Sequence, residues 1–499
     1  MASRRRITAL IAPLLAAGCS VGPNFVPPNP QLPETSFTGD KSLAGSDARL
    51  PRPTDPAWWA VFRDPTLTDL ERRVADANLD VRTATIRLAQ SRFQRGVTAA
   101  AQFPSINGDA KYTRELYSQN GIVSLLSGLL PAGSSFNPGA INDYNVGFDA
   151  SWELDLWGKV RRQVEAADAQ VDQVADQRRD ALVSSLAELA RDYIQLRGVQ
   201  MQIKILNDNL KVDRDILQLV QERQQRGLQN GLDVENAAAQ VENVRAQLPM
   251  LQQQESQYIN AISLLLDEPP GTLQSELRRP RLVPPAPPRV PLGIPSELAR
   301  RRPDIRAAEA QLHAATADIG VAVGAFYPSV QLNGTVGFDA LDIKNLWKGS
   351  SLQYTLGPSV TLPIFAGGRL KSTLELRDAQ QQEAAITYHK TVLQAWHDVV
   401  NALVAYRLEQ TRRARLKAQA EHSRQALALA RNRYSDGVTE FLSVLDAERS
   451  LLQAEQQHAT STTNVSLNLV QLFKALGGGW ESTFPDLPTN TELAVSDRP

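Results

Sequence analysis

Two long stretches of this chain repeat one another at a fixed separation of 210 residues. Tyr144-Asn-Val-Gly147 returns as Tyr354-Thr-Leu-Gly357, and Gly158-Lys-Val-Arg161 returns as Gly368-Arg-Leu-Lys371. Further on, Gly227, Leu232, Val234 and Ala237 return as Gly437, Leu442, Val444 and Ala447. Solenoid repeats recur every ~20–50 residues, so this period marks a duplicated structural half. Each half holds two strand-like segments and two very long helical ones. Any fold for the chain must use that set twice.

The strand-like segments alternate with period 2. Ile106, Gly108, Ala110 and Tyr112 interleave with Asn107, Asp109, Lys111 and Thr113. Tyr144, Val146, Phe148, Ala150, Trp152 and Leu154 interleave with Asn145, Gly147, Asp149, Ser151, Glu153 and Asp155. The second half does the same from Val330 to Asp339 and from Leu352 to Ile364. Such alternation puts one set on each face of a sheet. Segments of about ten residues with an apolar outside and a polar inside mark a transmembrane β-barrel. A soluble sheet with one wet face also alternates, but all four segments share the pattern and few other strands are on offer. Gly, Ser and Asn-rich stretches such as Gly121 to Pro138 suit loops beyond a membrane. Four strands cannot close a barrel. Membrane barrels start at about eight, and an open edge in lipid leaves backbone groups unpaired at several kcal/mol each. Several chains must therefore build one pore; two would give about eight strands and three about twelve.

The helical segments step by four and three. Val160, Val164, Ala167, Val171 and Val174 do so, as do Leu182, Leu186, Leu189, Tyr193 and Leu196. Tyr388, Val392, Ala395, Val399, Ala402 and Tyr406 repeat the spacing in the second half. A sustained period of 3.5 is a coiled-coil seam. No proline falls between Lys159 and Arg226, and a helix of that span would be about 100 Å long at 1.5 Å per residue. Gly227 and Gly231 are read as its end, with Leu232 starting the return helix. Gly437 ends the equivalent helix, with Thr439 as N-cap. The chain thus reads as long helical hairpins with turns at one end and membrane strands at the other. The other helix faces stay rich in Gln, Arg, Asp and Glu, which suits a water-filled interior.

The N-terminus reads as an export signal: Arg4-Arg5-Arg6, then a short apolar stretch from Ile7 to Ala17. Cys19 is the only cysteine, so the chain has no internal disulfide. Leu15-Ala-Ala-Gly18-Cys19 resembles a bacterial lipobox, although Ala16 stands where Leu is commoner. The resemblance implies a covalent lipid on Cys19 and no other cofactor, and Ser20 after it points to the outer membrane. Lys plus Arg number 53 against 54 for Asp plus Glu, so there is no basic footprint for nucleic acid. Enzyme motifs are absent. The five histidines form no i, i+4 metal pair, and no phosphate loop or Gly-x-Ser-x-Gly occurs.

These readings divide the chain as follows. Residues 1–18 are a signal peptide, and 19–56 a lipid-anchored, Pro-rich extended tether. The first repeat, 57–273, holds a helix, strands near 103–115 and 141–156, and a helical hairpin near 158–266. A Pro-rich linker, 274–293, precedes the second repeat, 294–476, with its own helix, strands near 327–340 and 351–365, and a hairpin near 368–475. Residues 477–499 are a polar tail, disordered after Trp480.

The chain resembles the outer-membrane efflux factor family, of the TolC and OprM type, in its lipoprotein (NodT-like) branch that serves RND efflux systems. The residues behind this are Cys19-Ser-Val-Gly22-Pro23-Asn, Trp58-Trp59, Phe103-Pro104-Ser105, Trp152-Glu-Leu-Asp155, Phe326-Tyr327-Pro328-Ser329, Pro363-Ile-Phe365, Gly367-Gly368-Arg369-Leu370 and Arg433-Tyr434-Ser-Asp-Gly437-Val. Each is short, and their order and spacing together are specific. The resemblance implies a mainly α fold with a membrane β part: a coiled-coil helical barrel continuous with a twelve-stranded β-barrel completed by a homotrimer. It also implies a passive exit duct in the outer membrane, fed by a periplasmic adaptor protein and an inner-membrane RND-type transporter. A protein-secretion channel and a lipid-anchored scaffold without a pore are the alternatives.

In OprM-like members a leucine and an aspartate on the last hairpin line a periplasmic gate. The matching residues here are Leu442 and Asp446, four apart on one helix face. Three-fold symmetry would make an apolar ring and a carboxylate ring, the latter favouring cations. An ordinary coiled-coil position for Leu442 and a solvated acid for Asp446 are the plainer readings. The turns carrying Gly227, Gly231, Asp233 and Gly437 are the candidate adaptor contacts. Asp233 also fits a charge placed for a helix N-terminus, and Trp58 and Trp59 fit packing in a collar. The halves differ at one telling place, since Asp446 corresponds to Asn236.

Overall fold

The computed structural model describes residues 20–30, 32, 57–118, 139–288, 290 and 298–485. The signal peptide, Cys19 and the loop Gly121–Pro138 lie outside the described residues. The chain divides into two compact units that cut across the repeats. One takes Gln90–Asp172 and Ala310–Ile386 with the N-terminal segment to Pro27; the other takes Pro28–Ala89, Gln173–Glu309 and Thr387–Pro499. The first is assembled this way because strands from both repeats pair in one sheet.

That sheet is an antiparallel meander of β1 (Ser105–Leu116), β2 (Ala140–Leu154), β3 (Ser329–Ala340) and β4 (Leu352–Thr361), in that spatial order. Like residues meet across every pair. Ile106 faces Ala150 and Tyr112 faces Tyr144; Phe148 faces Val336 and Trp152 faces Leu332; Val336 faces Tyr354 and Val330 faces Val360. Since the side-chain period is 2, a slip of one residue would put apolar against polar along the whole strand. The opposite face is laced by polar contacts, such as Asn107 Nδ2 donating to Asp149 at 3.1 Å and Asn333 Nδ2 to Ser359 at 3.2 Å. Gly147 sits opposite Gly337, where a Cβ on the first would stand 2.7 Å from the Val336 carbonyl oxygen. Among the described residues β1 and β4 each pair on one side only. The strand expected to reach 365 stops at Thr361. Pro363 has no N–H to give a ladder, and Gly367 and Gly368 turn the chain with positive φ.

Two helices of 67 residues, α3 (Lys159–Gln225) and α8 (Arg369–Ser435), follow the second strand of each repeat. Their bounds differ by the repeat offset, as do the starts of their return helices α4 (Gly231–Leu265) and α9 (Phe441–Leu476). The shorter helices are α1 (Pro65–Ala77), α2 (Leu79–Ala99), α5 (Gln274–Leu277), α6 (Leu298–Arg301) and α7 (Pro303–Gly324). The Asp155 carboxylate starts α3, accepting from the backbone N–H of Val160 at 3.0 Å and of Arg161 at 2.9 Å. No described helix is long and apolar enough to cross a membrane.

Three expectations need correction. The Pro-rich tether is not free throughout. Val21 N–H donates to the Trp157 carbonyl at 3.0 Å, the buried Arg162 reaches Asn24 at 2.6 Å, and Phe25 stacks on His313. Ser20 lies against Gly158, where any side chain would collide with it. Proline favours an extended path, and side-chain contacts then fix that path.

The Pro-rich linker is likewise packed. It contains α5, and Leu277, Val283 and Val290 join the core of the second unit. The buried Arg197 holds it through Nη1, which donates to the carbonyls of Leu277 and Arg279, each at 3.0 Å. The tail continues the fold to Pro485. Trp480 is buried with its indole N–H shared between the Arg301 and Gly477 carbonyls, and Phe484 lies 3.8 Å under the Arg178 guanidinium. The core they join holds the predicted seam residues Leu182, Leu186, Leu189, Tyr193, Val399, Ala402 and Tyr406, together with Trp58 and Trp59.

Candidate functional site

The two hairpin tips lie within the second unit and are built alike. After α3, Gly227 N–H donates to the Gln224 carbonyl and Leu228 N–H to the Arg223 carbonyl. After α8, Gly437 N–H donates to Tyr434 and Val438 N–H to Arg433. This is the Schellman cap, and it needs a left-handed residue at the glycine; both glycines have φ +73. Both have open space around the missing Cβ, so backbone conformation selects glycine at these turns. The starts of the return helices differ. Asn230 caps α4, its side chain accepting from Asp233 N–H at 3.0 Å, with Gly231 as the first helical residue. At α9 the cap position is Glu440, without a side-chain cap bond. Thr439, expected there, instead meets the Ser443 hydroxyl at 3.2 Å.

The tips are tied to each other. Arg223 Nη1 donates to the Tyr434 carbonyl at 3.0 Å, and its guanidinium stands 4.7 Å over the Tyr434 ring. The Tyr434 hydroxyl donates to Gln229 Oε1 at 3.2 Å, and Gln229 Nε2 in turn donates to Asp233. The Asp233 carboxylate is therefore engaged inside the tip, at the electropositive first turn of α4. Burial pushes the Tyr434 phenol up, against the pull of Arg223, so it stays a donor. Tyr434 also packs on Phe441, and both belong to an apolar cluster with Ile216, Val220, Val444 and Leu445. Leu442 and Asp446 lie on the other side of α9. Both are exposed on this chain, and neither contributes to that cluster. Leu442 is thus not core within the protomer. Its repeat equivalent, Leu232, is exposed as well.

The reading of the sequence missed an acid pair. Asp213 on α3 and Glu448 on α9 are both almost fully buried. Burial first, and the adjoining Asp213 second, push the Glu448 carboxyl up to about 9. Their positions gave a signal: three residues before Ile216 on one seam and three after Leu445 on the other, where an apolar residue is expected. The tip bonds of Arg223, Tyr434 and Gln229 left no such trace, because they join one hairpin to the other.

The sequence profile of the outer membrane efflux protein family matches the chain twice, over residues 72–267 and 294–478, once in each repeat. The chain belongs to that family. Outer membrane protein OprJ of Pseudomonas aeruginosa is 31% identical over 479 residues, covering 95% of this chain and 96% of its own length. The toluene efflux pump outer membrane protein TtgF of Pseudomonas putida is 30% identical and covers 93% of this chain and 95% of its own length. The solved structure of the outer-membrane channel OprN superposes with a TM-score of 0.84 at 33% identity, covering 93% of this chain and all of the other. The mainly helical fold with a small membrane β part is thus the fold of the family, and the protein is an outer-membrane protein.

Proposed function

We propose that the protein is the outer-membrane exit duct of a tripartite efflux pump, passing substrates outward without chemistry of its own. The observation that carries this reading is the sheet. Its apolar residues fall in register across four strands, yet its first and last strands each pair on one side only among the described residues. A lipid-facing sheet must be closed, and a homotrimer of such sheets closes as twelve strands. The long helices then form the periplasmic tunnel, whose inner mouth is at the tips. Leu442 and Asp446, exposed on α9, supply an apolar and a carboxylate ring there. The Arg223–Tyr434–Gln229–Asp233 bonds hold the two tips together in the closed state. The turns at Gly227, Gly231, Asp233 and Gly437 are offered to a periplasmic adaptor, which links the duct to an inner-membrane RND-type transporter. A covalent lipid on Cys19 anchors the N-terminus.

Purified protein in planar bilayers tests the reading. A tight channel with rare openings is expected. No conductance under any condition, Asp446→Ala included, would sink it.

A further inference from the structure

The apolar seam between α3 and α9 is interrupted once near the tip. On α3, Ile216 and Val220 belong to the tip cluster, and Leu206 and Leu210 belong to the next cluster along. Asp213 falls between them. On α9, Phe441, Val444, Leu445 and Leu451 belong to the tip cluster and Leu452 to the next, and Glu448 interrupts the run of the first. Asp213 is 3% exposed and Glu448 2%. Neither oxygen of Asp213, nor Oε1 of Glu448, is met by a donor. The next acid of the same seam, the half-buried Glu455, is served differently: it accepts from Asn209 at 3.3 Å and from Arg424 at 2.8 Å.

Two carboxylates have only acceptors to show each other. Ionised together in a buried site, they would repel without compensation. With one proton between them, one becomes a donor and the contact turns attractive. The surrounding charges do not replace that proton. Arg431 on α8 and Arg449 on α9 face Glu448 and favour its charged form, but less than burial and Asp213 oppose it. Arg449 is also engaged on α4, where its Nε donates to Gln240 at 3.2 Å. Arg214 and Asp215, the charged neighbours of Asp213 in sequence, are exposed.

We propose that Asp213 and Glu448 form a proton-operated latch, in which one shared proton holds the start of α9 against α3 and its loss loosens the tip. The latch acts on the helix that carries Leu442 and Asp446, so its bearing on conduction rests on the duct reading. Its existence does not. The sign follows from linkage. Between the ordinary carboxyl value of 4.5 and the raised value of about 9, the closed tip binds more protons than an opened one. The latch is therefore complete below that window, weakens as pH rises through it, and is gone above about 9. The released proton goes to water.

Two measurements on the full-length assembled protein test this without relying on conductance. Infrared difference spectra should show the carbonyl stretch of a protonated carboxylic acid at pH 7, absent in Glu448→Gln. Hydrogen–deuterium exchange of the peptide from Phe441 to Leu452, corrected for intrinsic pH dependence, should quicken up to about 100-fold between pH 7 and pH 9.5, a factor of ten for each pH unit up to the raised value of about 9. Glu448→Gln, which keeps a donor at all pH values, should abolish that acceleration. Asp213→Asn, which likewise supplies a donor to Glu448 at all pH values, should abolish it as well. A missing carbonyl band at pH 7, or equal acceleration in wild type and Glu448→Gln, overturns the latch. Bilayer recordings of the same samples report separately on the duct. A conducting channel with no pH response in tip exchange refutes the latch alone.

Discussion

Removing one oxygen atom from the tip isolates what holds it shut. In Tyr434→Phe the ring remains, so its packing on Phe441 and the Arg223 guanidinium over its face are kept. What disappears is the 3.2 Å hydrogen bond to Gln229, and with it the end of the chain that runs on to Asp233. A neutral hydrogen bond contributes about 0.5–1.5 kcal/mol net. Gln229 is only half-buried, so water takes up part of the vacated acceptor and the loss is about 1 kcal/mol per protomer. If three tips open together the losses add to about 3 kcal/mol, or roughly 150-fold in the ratio of open to closed channels. Planar-bilayer recordings measure that ratio directly, with thermal unfolding as a control for intact folding. Thr439→Ala, which removes a contact within one tip only, serves as the comparison and should change little. An open probability in Tyr434→Phe indistinguishable from wild type would show that the bond between the tips does not restrain the mouth. So would an equal rise in Thr439→Ala.

Other outcomes follow from the same geometry. Asp446→Asn should lower the preference for cations, seen as a shift in reversal potential across a KCl gradient; an unchanged potential would place the selective ring elsewhere. Gly227→Ala and Gly437→Ala should each destabilise their tip by about 1 kcal/mol, the cost of a left-handed conformation for an L-residue, read as faster exchange of the turn. Because both glycines have the same φ and open surroundings, unequal costs would contradict a purely backbone origin. Cys19→Ser should abolish incorporation of labelled palmitate in growing cells, and retention of label would move the acylation site.

Periodicity made the large elements legible. The spacing of Tyr388, Val392, Ala395 and Val399 fixed one face of a helix, and each of these residues is buried. Alternation fixed which residues share a sheet face and so excluded a one-residue slip, because only like faces can pair over a long strand, but it left the register itself open. The packed Pro-rich segments were less legible. Proline reports a backbone preference and says nothing of what the neighbouring side chains touch, so Val283 and Val290 looked like linker and proved to be core. The tail misled for the same reason, since Phe484 gains its place from Arg178 and not from any local pattern. At the tips, glycines announced the turns because the Schellman geometry has a strict local requirement. The hydrogen bonds joining one tip to the other depend on tertiary placement and left no local trace.

The duplication and its failures together say which part of the tip is adjustable. The backbone of the turn is copied: the Schellman bonds, the glycine φ and the first residues of the return helices recur at the repeat offset, although only α4 has a side-chain N-cap. The buried charge is not copied. At the same offset Glu448 corresponds to Ala238, Asp213 to Ser423 and Asp446 to Asn236. The acids assigned to the carboxylate ring and to the latch, Asp446, Asp213 and Glu448, therefore lie on the α3–α9 side and lack an acidic counterpart on the α4–α8 side, while Asp233 on α4 corresponds to Ser443. A buried, unsatisfied acid pair costs stability, and two identical seams would carry that cost twice while gaining no asymmetry. With the pair in one seam only, its loss of a proton frees one helix start while the duplicate, with Ala238 and Ser423 in those places, has no carboxyl to titrate. In a ring of six near-equivalent hairpins built from three chains, alternate tips would then respond to pH and the others would remain fixed supports. Moving the acids to the silent seam, as Ala238→Glu with Ser423→Asp in a Glu448→Gln, Asp213→Asn background, should transfer the pH-dependent exchange from α9 to α4. If the exchange stays with α9, the asymmetry of the tip has another source.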